Sequence, residues 1–360
     1  MFLKKQRAKR HLNKLTHINK QSDDIKMAKK IFVIVCLAFF MNQSIYSSVE
    51  KVTYRKWLDC YKITNGTVEV ILNAGCGGRV MEFSYNGINM IYKDSTQDGK
   101  LITDFLKERF DPDGGRFDYG PESVTNKLHS LTWMGEWSAK ITGDFSLVLT
   151  SQPDYKLGVQ TIREFKLDKN SCLSIKQTMK NISDTTIGYF FWSRTLVYGG
   201  GKLVVPLNPE SQYPQGWGKW DWSVRNGVLR TEDVSDPAVK TMGDILLFTP
   251  NQSSPRGKYG TDSHEGWMAY GYKDVLFVKR FKYFPDKLYI EKSGQTIVFF
   301  TNGKFIEMEP ISPQIILEPG ESSSFTESWW LLPYETSKID LENLDDVSKI
   351  IYSNTGSYNH

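Results

Sequence analysis

Between residues 52 and 335 the chain changes character every few residues. Short β-branched or alternating runs such as Val68–Leu72, Val80–Tyr85, Ser146–Ser151, Thr161–Leu167, Leu173–Lys180, Trp267–Tyr272, Leu276–Phe281 and Ser324–Leu332 are set apart by turn dipeptides, among them Asn65-Gly66, Asn86-Gly87, Asp98-Gly99, Asp113-Gly114, Asn226-Gly227 and Asn302-Gly303. Asn-Gly and Asp-Gly favour the tight turns that join antiparallel strands. Many short strands at this spacing predict an antiparallel sandwich or barrel and leave no room for βαβ units. Two stretches carry helical spacing instead, Thr103–Arg109 and Lys338–Ile351. The expected organisation is an all-β domain over residues 49–335 with a short C-terminal helical tail over 336–360.

The first 48 residues read differently. Lys29 and Lys30 precede an apolar run of eleven residues, Ile31–Met41, and a small polar stretch ending at Ser48 follows it. A membrane span needs about 20 apolar residues, whereas a basic start, a short apolar stretch and small residues fit a secretory signal. Met27 opens such a signal by itself, so either Met1 or Met27 is the start. The expected location is therefore secreted or periplasmic, with no membrane span in the mature chain.

Charge follows the same division. The leader holds ten Lys and Arg against Asp23 and Asp24, out of 45 basic and 41 acidic residues in the chain, leaving the body with 35 and 39. A body with net charge −4 is a poor nucleic-acid binder, since the basic patch belongs on the folded domain. Cys60, Cys76 and Cys172 match no zinc spacing and allow at most one bridge. A body of about 310 residues buries a sufficient core without staples, so these cysteines read as small buried hydrophobes. Walker, His-Glu-x-x-His, Gly-x-Ser-x-Gly and Gly-x-Gly-x-x-Gly patterns do not occur, and neither a metal nor a cofactor is expected.

The order of local patterns carries more information. An Asn65-Gly66 turn, a strand, Gly77-Gly78-Arg79-Val80 and Asn86-Gly87 are followed by Asp113-Gly114-Gly115-Arg116-Phe117-Asp118. Then come Thr161–Phe165, Met179-Lys180-Asn181-Ile182-Ser183-Asp184, Lys304–Glu309, and Leu317-Glu318-Pro319-Gly320-Glu321. This succession, over roughly residues 60–332, resembles the galactose mutarotase-like (aldose 1-epimerase) superfamily, in particular its exported bacterial members. The resemblance implies a large antiparallel supersandwich with a carbohydrate cleft across one sheet face.

Opening a cyclic hemiacetal needs a base at the anomeric hydroxyl and an acid at the ring oxygen. The resemblance implies a carboxylate for the base, and Phe305-Ile306-Glu307-Met308-Glu309 stands where the family places it. Residues two apart on a strand share a face, so Glu307 and Glu309 are both candidates, Glu309 being favoured. Two carboxylates side by side can raise one pKa. The family's histidines are replaced: Asp113 precedes Gly114-Gly115, and Phe191-Trp192-Ser193-Arg194 follows the Asn-x-Ser-Asp segment. His129, His264 and Asp113 remain as candidate acids.

Sugar recognition asks for aromatic faces and polar groups of fixed geometry. Trp217, Trp220 and Trp222 crowd one Gly/Pro-containing loop, and Trp192 lies beside Arg194. Arg79, Arg116 and Arg194 fall near expected cleft edges, Arg116 with Asp118 and Glu122 in a dense polar cluster, and a guanidinium fork suits hydroxyls or a sugar carboxylate. The candidate sugar-binding set is Arg79, Arg116, Glu122, Trp192, Arg194 and Trp217. Three readings stay open: an epimerase-like enzyme acting on a mono- or oligosaccharide, a glycan-binding protein without turnover, and an assembly subunit of a surface glycan system. The oligomeric state is left undecided.

Overall fold

The computed structural model describes residues 48–125, 130–224, 227–251 and 253–356. Residues 1–47, which include the expected secretory signal, lie outside the described residues, as do His129 and His360. From Ser48 onward the chain packs as one unit. Its described strands form two antiparallel sheets, one of 13 strands and one of 10.

The ten-stranded sheet shows the alternation expected of a half-solvated sheet. Along Val159–Leu167 every second side chain is buried, and Cys172–Asn181 continues the pattern in register with it. The inward residues of both sheets meet in one core. Phe83 from one sheet contacts Phe277 edge-on at 5.4 Å and Trp329 at 5.8 Å, and Phe191 stacks on Phe325 at 6.1 Å.

The centre of the 13-stranded sheet breaks that alternation. All six residues of Gly115–Gly120, all six of Phe305–Pro310 and all five of Gly257–Thr261 are buried. Half of these side chains face the intersheet core; the other half, several of them charged, face away from it and are nonetheless covered. A second face that is both charged and buried is the feature that sets this sheet apart.

Turn chemistry works as expected at the hairpin that feeds this region. Ile297–Thr301 and Phe305–Pro310 pair antiparallel, and the turn between them places Gly303 at φ 86°, a conformation that costs glycine little. Asn302 Oδ1 accepts the backbone N–H of Lys304 at 3.0 Å.

The helices fall slightly away from the expected spans. The first runs Ile102–Lys107 and starts where Asp104 Oδ2 accepts the Leu101 backbone N–H. The tail helix runs Leu344–Thr355, because Asp340 accepts the Asn343 N–H and holds Leu341–Asn343 in a 3₁₀ turn first. Its Leu344, Val347 and Ile351 cover the outer face of the ten-stranded sheet through Val204, Trp267 and Leu276. No described helix is long and apolar enough to cross a membrane. Cys60, Cys76 and Cys172 are all free thiols, the first two fully buried.

Candidate functional site

Strand register brings the site together. Asp118 lies opposite Trp192 and Arg116 opposite Arg194 on the neighbouring strand. Leu196 faces Glu307, which in turn faces Phe300, and Lys258 faces Phe300 from the far side. Directly opposed residues share a sheet face, as do residues two apart. One face therefore carries Arg116, Asp118, Trp192, Arg194, Glu307, Glu309 and Lys258, and Trp220 joins them from Gly218–Asp221. The interleaved Phe117, Tyr119, Phe191, Met308, Phe299 and Tyr259 belong to the core.

Glu309 is fully buried on this face. The Trp192 indole N–H donates to its Oε2 at 2.6 Å, while Oε1 has no hydrogen-bond partner among the described residues. Burial is the main cause that pushes the Glu309 carboxyl up, to about 8; Lys258 and Arg194 oppose the rise and the adjacent Glu307 adds to it. A buried carboxyl raised toward neutrality, with one oxygen held by an indole N–H and the Glu307 carboxyl beside it, has the properties of an acid–base group.

Cations and indoles surround it. Arg194 pairs with Asp118 at 2.8 Å and lies over the Trp192 ring at 4.3 Å. Burial works to lower its pKa, but Asp118 and then Glu309 outweigh this and hold it above its ordinary value. Lys258 sits 4.5 Å from both the Trp192 and the Trp220 ring centres. The indole N–H of Trp133 donates to Asp118, and its ring lies 4.9 Å beneath the Arg116 guanidinium.

Several charged pairs in the cluster stand just too far apart to hydrogen-bond. Arg116 is 3.7 Å from Glu307 and 3.8 Å from Asp111. Glu122 is 3.8 Å from Arg194 and 3.7 Å from Lys258.

The structure thus gathers Glu309, Glu307, Arg116, Glu122, Trp192 and Arg194. Of the other candidates, it places the described ones elsewhere. Asp113 and Arg79 form a neighbouring buried pair at 3.0 Å, and Arg55 holds the second Asp113 oxygen at 2.7 Å. That oxygen also accepts the Asp94 backbone N–H, so Asp113 is fully committed. Trp217 packs in the intersheet core against Tyr259. His264 is exposed, stacking on Tyr283 at 4.2 Å and meeting Asn208 at 3.3 Å.

Lys258 was missed in the sequence, where a single lysine between Gly257 and Tyr259 looks like an outward residue. Lys279 was also missed. It is fully buried between the sheets, 3.1 Å from Glu327, and donates to Ser193 Oγ, Thr195 Oγ1 and the Met308 carbonyl. Those three residues alternate with Trp192, Arg194, Glu307 and Glu309, so this amine grips the site strands from beneath. A Lys-Arg pair inside the apolar run Val275–Phe281 was its only signal.

Comparison with known proteins agrees with the architecture. The family described as Domain of unknown function (DUF4380) matches residues 130–332. No curated protein matches the sequence. Among solved structures, a galactose mutarotase-like protein from Lactobacillus casei ATCC 334 superposes with a TM-score of 0.54 at 12% identity, over 76% of this chain and 100% of that one. A galactose mutarotase-like protein from Clostridium acetobutylicum gives 0.53 at 12% identity, over 80% and 99%. The Slr1438 protein from Synechocystis sp. PCC 6803 gives 0.53 at 15% identity, over 76% and 96%. At such identities the likeness carries the fold alone.

Proposed function

The chain belongs to the family described as Domain of unknown function (DUF4380) and has the galactose mutarotase-like fold, and from that premise we propose an exported carbohydrate-active protein that opens and recloses a sugar hemiacetal at Glu309. The observation that carries this reading is the Glu309 carboxyl itself: buried, raised toward neutrality by burial and the adjacent Glu307, and fixed by the Trp192 N–H at Oε2.

In this reading the Glu309 carboxylate accepts the proton of the anomeric hydroxyl. The C1–O1 bond becomes a carbonyl, the bond from C1 to the ring oxygen breaks, and the ring oxygen takes a proton from the Lys258 ammonium. Rotation about the C1–C2 bond and reclosure on the other carbonyl face return both protons. Trp192 and Trp220 offer apolar faces to the sugar's C–H side, and Arg116, Arg194 and Glu122 bond its hydroxyls. Export rests on the leader sequence.

A second reading, sugar binding without turnover, is favoured by one observation. The residue standing where the family's first histidine is expected, Asp113, is held on both oxygens by Arg55 and Arg79, away from Glu309. One experiment separates the two. Two-dimensional exchange NMR on a panel of aldoses measures interconversion of the anomers with wild type, Glu309→Gln and Lys258→Met. Faster exchange of at least one aldose, lost in both variants, supports the enzyme. Tryptophan fluorescence that responds to sugar without any exchange supports the binding protein, and no response in either assay rejects both.

A further inference from the structure

The charged face does not end at Glu307. Phe305 lies two residues further along the same strand and shares the face. Beside it opens a cavity of about 230 Å³, whose lining includes Tyr92, Phe110, Asp111, Asn302, Lys304 and Phe305. Tyr92 and Phe305 stand 5.1 Å apart at 40°, an angled aromatic wall.

The polar groups around this wall fall into two kinds. Those at the back are spent: Gln97 donates to the Asp111 carbonyl and accepts the Asp113 N–H, while Asp113 neutralises Arg55 and Arg79. Those at the rim, Asp111, Asn302 and Lys304, are exposed. The cavity therefore combines aromatic faces with a mixed-sign polar rim, which suits an uncharged polyhydroxyl better than an ion of either sign.

Arg116 joins this cavity to the carboxylates. Its guanidinium lies between Asp111 of the rim and Glu307 of the site, at 3.8 and 3.7 Å, and its Nε has no hydrogen-bond partner among the described residues. Phe305 and Glu309 are four residues apart, about 13 Å along an extended strand. One pyranose ring seated at Glu309 is too short to reach the Tyr92–Phe305 wall.

We infer that the ligand is an oligosaccharide, its terminal residue at Glu309 and its chain passing over Arg116 into the cavity at Tyr92 and Phe305. This inference rests on the carbohydrate reading above and assigns the substrate class within it. The rim hydroxyls bond Asp111, Asn302 and Lys304, and one sugar ring packs against the aromatic wall.

The test is isothermal titration with three matched series: glucose, cellobiose and cellotriose; galactose, galactobiose and galactotriose; mannose, mannobiose and mannotriose. The proteins are wild type, Lys304→Trp to obstruct the cavity mouth, and Tyr92→Ala to remove one wall, each checked for folding by circular dichroism. In at least one series the trisaccharide should bind wild type about tenfold or more tighter than the monosaccharide. Lys304→Trp and Tyr92→Ala should each bring that ratio close to one. Equal affinity of wild type for every length, or a length gain that survives both substitutions, overturns the inference and leaves sugar binding standing. Absence of binding by any sugar in any series overturns the carbohydrate reading together with it.

Discussion

Trp192 and Glu309 are joined across two strands by a single hydrogen bond, the indole N–H donating to Oε2 at 2.6 Å with both side chains fully buried. The bond fixes one carboxyl oxygen of a group whose nearest like-charged neighbour is Glu307. It also supports the charged form of Glu309, against a burial that disfavours it.

Trp192→Phe keeps a ring at this position and removes the donor. The variant should lose about 1–3 kcal/mol of stability, the usual cost of leaving a buried acceptor unsatisfied. The midpoint of its pH–activity profile should shift upward. Urea unfolding and exchange NMR across pH 6–10 measure the two effects.

Glu309 also links stability to pH. Its folded value is raised above the ordinary glutamate value of 4.5 to about 8, chiefly by burial. A raised carboxyl stabilises the fold relative to its ionised state below the unfolded value, and that contribution is lost as pH climbs through the folded one. Glu309→Gln cannot ionise. Its melting temperature should match wild type near pH 4 and exceed it increasingly between pH 5 and 9. Thermal unfolding over that range checks the sign.

Lys279 and Glu327 form a buried pair at 3.1 Å between the sheets. Removing one partner of such a pair strands a charge and costs about 3–5 kcal/mol, whereas replacing both by apolar groups is far less harmful. Lys279→Met should be strongly destabilised, and adding Glu327→Leu should recover most of the loss in urea unfolding. The double variant should still show reduced sugar exchange, because Ser193, Thr195 and the Met308 carbonyl lose the amine that aligns the site strands.

Two tryptophans three residues apart should behave oppositely. Trp217 sits in the core, so Trp217→Ala should cost about 3–5 kcal/mol while the folded fraction keeps its sugar affinity. Trp220 lies beneath Lys258 and Lys292 on the site face. Trp220→Ala should weaken sugar binding in fluorescence titrations with a smaller effect on melting temperature.

These contrasts mark what could be read in advance. Alternating runs such as Thr161–Leu167 reported their strands directly, because one solvated face leaves a period-two record. The carboxylates were named because the mutarotase resemblance puts one there; being two apart, Glu307 and Glu309 had to share a face. Arg79, Arg116 and Arg194 were chosen for their nearness to turns; Arg116 and Arg194 lie in the cluster, whereas Arg79 pairs with Asp113 beside it.

Trp217 and Lys258 show where that reasoning stops. A tryptophan between Gly216 and Gly218 and a strand lysine between Gly257 and Tyr259 look exposed in one dimension, and only the fold decides which way each turns. Lys279 is harder still. Its place depends on Glu327, 48 residues later in the chain, meeting it across a strand pair, and no local pattern records that. Asp113 was read as a possible acid because it stands beside Gly114-Gly115; Arg55, whose left-handed backbone at φ 46° brings it to Asp113, was invisible to motif order.

The state of the Glu309 carboxyl is read directly by carbon-13 NMR of glutamate-labelled protein. Titrated from pH 4 to pH 10, wild type should show one carboxyl resonance with a midpoint near 8 that is absent from Glu309→Gln and moves when a sugar that binds is added. A spectrum in which every glutamate titrates in its ordinary range, and none responds to any mono- or oligosaccharide, contradicts the assignment of Glu309 as the group that meets the sugar.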